Sequence, residues 1–121
     1  MKGLHQIDLG QWPPALFVTK EEGAYKRLLR RYCGKDAETN PFPQRDAGFC
    51  QHLSNGLGAD IFVVVVGRQS NRTQLIATIA HEATHAMRWI LESVGEKAPG
   101  TETEAYLVGH IVKGALRALT K

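Results

Sequence analysis

Long apolar runs are missing from this chain. The longest, Ile61 to Val66, falls far short of the ~20 residues a membrane-spanning helix needs, which excludes a helical span of the bilayer. Cysteine is scarce too. Cys33 and Cys50 lack C-x-x-C spacing, so no cysteine-based metal site is expected, and two free thiols are expected rather than a disulfide. The opening stretch from Met1 to Asp8 has no apolar core of the secretory kind, so the expected location is the cytoplasm. No Ser or Cys nucleophile motif is present, and no glycine-rich phosphate loop; Gly56-Leu57-Gly58 is a turn signal only. Repeats, low-complexity tracts and linkers are absent as well, and 121 residues suffice for one domain, 1–121, with a modest core. Charge of one sign does not dominate. Fifteen Lys and Arg against 12 Asp and Glu leave +3, and the basic residues around Lys26-Arg27 and Arg30-Arg31 read as a solvated helix face rather than a nucleic-acid surface.

What is present is a clear alternation of strand and helix signals. Leu4 to Leu9 alternates weakly and then meets Trp12-Pro13-Pro14, which predicts a short edge strand followed by a turn. Ala15 to Val18 leads into Thr19-Lys20-Glu21-Glu22, a capping-box pattern, and a first helix follows. Its apolar positions Tyr25, Leu28, Leu29 and Tyr32 fall on one face, and Gly34 supplies the stop. Lys35 to Gly48, with Asn40-Pro41-Phe42-Pro43, predicts a loop of a length that often carries function. Phe49 to Leu53 and Ile61 to Val66, broken by Asn55-Gly56 and Gly58, predict a hairpin. The unbroken β-branched run implies a strand covered on both sides, or one beside the next helix. That helix is capped by Ser70 or Asn71, runs to about Val94 on an apolar stripe from Leu75, and stops at Gly95. After Pro99-Gly100 a last helix spans about Thr101 to Leu119.

The long helix contains His81-Glu82-Ala83-Thr84-His85, an H-E-x-x-H sequence. Residues four apart on a helix share a face at ~5–6 Å between Cβ atoms, so His81 and His85 are able to reach one ion. A catalytic zinc takes three protein ligands and keeps one position for water, so one further ligand is required from elsewhere. Glu82 is turned by a fraction of a turn, which suits a general base acting on that water. Two carboxylates at the head of the last helix, Glu102 and Glu104, are within reach of the doubled-back chain. The helical wheel leans to Glu104, whereas Thr101-x-x-Glu104 is itself a capping-box pattern that would occupy Glu104 at the helix start. His52, His110, Tyr106 and Arg88 are candidates for transition-state stabilisation by residue type alone.

His81-Glu82-x-x-His85 followed by Glu102-x-x-Ala105 resembles the H-E-x-x-H then E-x-x-A arrangement of gluzincin metallopeptidases of the ImmA/IrrE and HtpX types. The stretch from Gln74 to Leu119 is similar to small metallopeptidase-like proteins of phages and prophages, matching them at Val94-Gly95-Glu96, Pro99-Gly100 and Glu104-Ala105-Tyr106. The resemblance implies His81, His85 and Glu102 as zinc ligands and Glu82 as the catalytic base. It departs at Tyr106, where the gluzincins carry Asp or Asn.

The expected protein is therefore an α+β, zincin-like minimal metallopeptidase domain, with a small, largely antiparallel sheet and three main helices. The expected activity is zinc-dependent hydrolysis of peptide bonds in a protein or peptide substrate. A zinc-stabilised, non-catalytic protein-binding module of phage origin is the alternative. An edge strand beside the metal would favour the peptidase, because such a strand holds an extended substrate.

Overall fold

The computed structural model describes residues 2–34, 39–54, 60–96 and 100–120. Seven elements follow in chain order: β1 (His5–Ile7), β2 (Ala15–Thr19), α1 (Glu22–Cys33), β3 (Gly48–Ser54), β4 (Asp60–Val66), α2 (Arg72–Ser93) and α3 (Thr101–Leu119). The fold is α+β, with three helices and a four-stranded mixed sheet in the order β1-β2-β4-β3.

Two of the pairings are antiparallel: β1 with β2, and β3 with β4, which forms the expected hairpin with Gly48 opposite Val66. The sheet is thus largely antiparallel, and the central pairing makes it mixed. β2 and β4 run parallel, with Ala15 opposite Ile61 and Thr19 opposite Val65. The reason lies in the connection, since α1 and β3 lie between the two strands and return the chain to the same end of the sheet. The Asn55-Gly56 and Gly58 turn of the hairpin, Lys35 in the loop and Pro99 before α3 lie outside the described residues.

β4 is buried along almost its whole length because each face of the sheet is covered. Phe62, Val64 and Val66 point into a core shared with α2 and α3, while Ile61, Val63 and Val65 point into a second core under α1. An apolar run without polar alternation is what a strand between two helical layers requires. Tyr25 of α1 fastens the smaller core to the loop. Its hydroxyl donates to Gln51 Oε1 at 2.6 Å and accepts from the Asn40 N–H at 3.0 Å.

Helix termini decide which side chains stay available for chemistry. Asn71 caps α2 by accepting from the Gln74 N–H at 2.8 Å. Gly95, at φ 83°, ends it in a Schellman arrangement, with Glu96 N–H bonded to Leu91 O and Gly95 N–H to Glu92 O. Neither predicted capping box forms. Helix α1 starts at Glu22 behind Glu21, so Thr19 stays in β2 and its hydroxyl donates to Gly3 O at 2.6 Å. Helix α3 takes Gly100 as its N-cap with no side-chain cap, which places Thr101 inside the helix and leaves the Glu104 side chain free of a capping role. No helix among the described residues is long and apolar enough to cross a membrane.

Candidate metal centre

Helix α2 lies on the sheet through Ile79, Ala83, Ala86, Met87, Ile90 and Leu91. Glu82 sits on the inner side of this helix, one turn from both Thr78 and Ala86, and is 6% exposed. His81 and His85 stand on the outer margin of the same face and are exposed. The ligating atoms of His81, Glu82 and His85 all lie within 4.8 Å of one another. The two imidazole centroids are 5.0 Å apart, and Trp89, one turn on, is 6.1 Å from the ring of His85.

The polar chemistry of this group is unsatisfied by the fold itself. Among the described residues neither imidazole has a hydrogen-bond or ion-pair partner, and the Glu82 carboxylate accepts no hydrogen bond. No enclosed side-chain nitrogen or oxygen among the described residues is left without a partner, so the Glu82 carboxylate, on a largely buried residue, opens onto the solvent in front of it. Burial raises the Glu82 carboxyl above the usual range, and His81 and His85 oppose that shift. Two imidazoles and a carboxylate converging without internal partners match the donor preferences of a borderline divalent cation such as zinc, so the residues fit such an ion.

An open cleft of about 400 Å³ lies in front of the group, between α2 and the loop leading into β3. Its walls include Asp46, Gly48, Gln74, Thr78, His81 and Glu82. Ser70 fixes the loop wall by donating to Asp46 from its backbone N–H and its hydroxyl, each at 2.6 Å, and these bonds hold the Asp46 carboxyl below its ordinary range. Gln69 reaches from the same turn to α2, where its Oε1 accepts from the Thr78 hydroxyl at 2.9 Å. Gly48 permits the close approach: a Cβ there would lie 3.0 Å from Thr78 Cγ2 and 3.4 Å from Glu82 Cγ. β3, which starts at this glycine, is an edge of the sheet.

Sequence reasoning overlooked Asp46, Gly48, Thr78 and Gln74. Thr78 alone left a signal, as a polar residue one turn before Glu82 on the helix.

The glutamates of α3 fall on different sides of that helix. Glu102 is exposed and lines a separate cleft with Trp12, Tyr106 and His110, so the structure does not bring it to His81 and His85. Glu104 faces α2, with Oε2 3.6 Å from Nη2 of Arg88, three residues beyond His85. Neither belongs to the group within 4.8 Å.

The other candidates are engaged elsewhere. His52 bonds Asp60 at 2.6 Å and stacks on Phe62, while His110 bonds the carbonyl of Asp8 and ties α3 to the chain after β1. Tyr106 is 82% exposed. No protein-family model, curated protein or solved structure matches the chain.

Proposed function

We propose that this chain is a zinc-dependent peptidase built on a minimal zincin-like fold. The observation that carries the reading is the convergence of His81, Glu82 and His85, of which His81 and Glu82 line an open cleft. His81 and His85 hold the ion. For the third ligand we favour Glu104 over Glu102, because Glu104 faces α2 beside the clamp while Glu102 points into a different cleft. An exposed Arg88 is a weak competitor for that carboxylate, since surface ion pairs contribute little.

A zinc ion held at this position supplies the Lewis acidity that activates water and polarises a scissile carbonyl. Glu82 serves as the proton carrier: it takes a proton during attack and returns it to the leaving amine. Its position on the buried side of α2 lets the carboxylate face the cleft beside Thr78. Edge strand β3, starting beside Glu82, suits an extended substrate that binds by strand addition. The two unpaired thiols suit a reducing compartment such as the cytoplasm.

Elemental analysis of protein purified without chelator tests the reading. About one zinc per chain is expected, lost on His81→Ala or His85→Ala. Labelled casein should be cleaved by the zinc-loaded protein and spared after chelation. A wild-type protein empty of metal after growth in zinc-replete medium overturns the proposal. Full zinc occupancy with no cleavage identifies the binding-module alternative.

A further inference from the structure

The cleft on the far side of α3 is about 500 Å³ and is formed between that helix and residues 9–12, the turn after β1. Its floor is apolar, from buried Leu9 and Leu107. Trp12 and Tyr106 stand on its walls, and Glu102 lies one helical turn before Tyr106. The exposure of Tyr106, at 82%, gains nothing for the fold, since an aromatic ring in water forgoes the stabilisation of burial. Glu102 has no hydrogen-bond or ion-pair partner among the described residues. No Lys or Arg lines the cleft, and His110 is engaged with the Asp8 carbonyl, so Glu102, in the first turn of α3, faces the helix dipole but no cationic side chain of the cleft.

Apolar floor, aromatic walls and one unpaired carboxylate are the complement of a guanidinium. A planar cation stacks on aromatic faces, keeps its aliphatic stem on apolar surface and binds a carboxylate through two parallel N–H bonds. We propose that this cleft is a docking site for an arginine side chain on a segment of a partner protein. The site is independent of the peptidase reading, because it uses a face of α3 turned away from Glu104 and α2.

The test uses the full-length protein and the peptide acetyl-Gly-Arg-Gly-amide, with acetyl-Gly-Gln-Gly-amide as control. In 1H–15N spectra the indole N–H of Trp12, assigned with a Trp89→Phe variant, should shift saturably across the millimolar range with the arginine peptide only. Glu102→Gln should weaken that binding about tenfold, the loss expected for one charge-assisted contact, and leave zinc content unchanged. Tyr106→Ala should weaken it as well, with the remaining amide resonances in place as evidence of folding. An absent or non-saturating shift, an equal response to the glutamine peptide, or undiminished affinity in Glu102→Gln overturns the proposal.

Discussion

Glu104 Oε2 lies 3.6 Å from Nη2 of Arg88, three residues beyond His85, which places Glu104 on the side of α3 that faces α2. Ile111, fully buried, is seven residues further on and therefore on nearly the same face of the helix. Glu102 is nine residues before Ile111 and is turned roughly half a revolution away.

The expected consequence is a split between two conservative variants. Glu104→Ala should lower zinc affinity by at least about tenfold, the scale of a lost charged contact, whereas Glu102→Ala should leave it intact. Arg88→Ala frees Glu104 and should maintain or raise the affinity. Competition titration with a colorimetric zinc chelator measures all three. The opposite split would return the ligand role to Glu102.

Glu82→Gln should keep the metal and lose casein cleavage, because an amide accepts no proton. A second readout is stability without metal. Burial raises the folded-state pKa of Glu82, so the unfolded chain releases this proton first, and stability falls as pH rises from about 4 through the folded-state pKa. Glu82→Gln removes that fall. The melting temperature of the chelated variant should therefore gain on chelated wild type as pH rises to neutrality, and parallel curves would contradict a Glu82 carboxyl raised by burial.

Gly67 ends the hairpin where the loop crosses it. A Cβ at this position would lie 2.5 Å from Gln44 O and 2.7 Å from Pro43 O, both backbone atoms with little room to yield. Gly67→Ala should cost roughly 1–3 kcal/mol, the usual range for overpacking, in urea denaturation. Gly48→Ala meets Val65 O at 2.9 Å as well as α2, and should both destabilise the fold and weaken zinc binding by displacing Thr78 and Glu82.

Cys50 tests the packing behind the site by a chemical route. Burial and the nearby Glu82 carboxylate push its thiol up to about 12. At pH about 8 only ~1 in 10,000 such thiols is ionised, against about a quarter for an ordinary cysteine, and the thiolate is the reactive form. Iodoacetamide should modify native Cys50 more than a hundredfold slower than the same residue in the urea-unfolded chain. Equal rates would show the β3 face of the site to be open.

The nearness of His81 to His85 and the burial of β4 were legible in sequence because they obey short-range rules. Four-residue spacing places His81 and His85 together on any helix, and the run Ile61 to Val66 announces a buried strand. The hairpin was legible for the same reason. Strand direction was not, since the parallel pairing of β2 with β4 depends on where α1 and β3 carry the chain. The capping patterns at Thr19 and Thr101 misled because a helix start displaced by one or two residues changes what the same side chains do. That displacement also removed the sequence argument for a capping role of Glu104. Asp46 was invisible because its importance comes from Ser70, a partner distant in sequence.

The parallel β2–β4 ladder also sets an order of events. Leu16 must find Phe62 across α1 and β3, a long closure that slows the assembly of the sheet and of the loop wall stitched to its end. The two histidines need no such search, since they share one helix of local contacts. During folding the helix that carries His81 and His85 is therefore able to form before the cleft in front of it is closed.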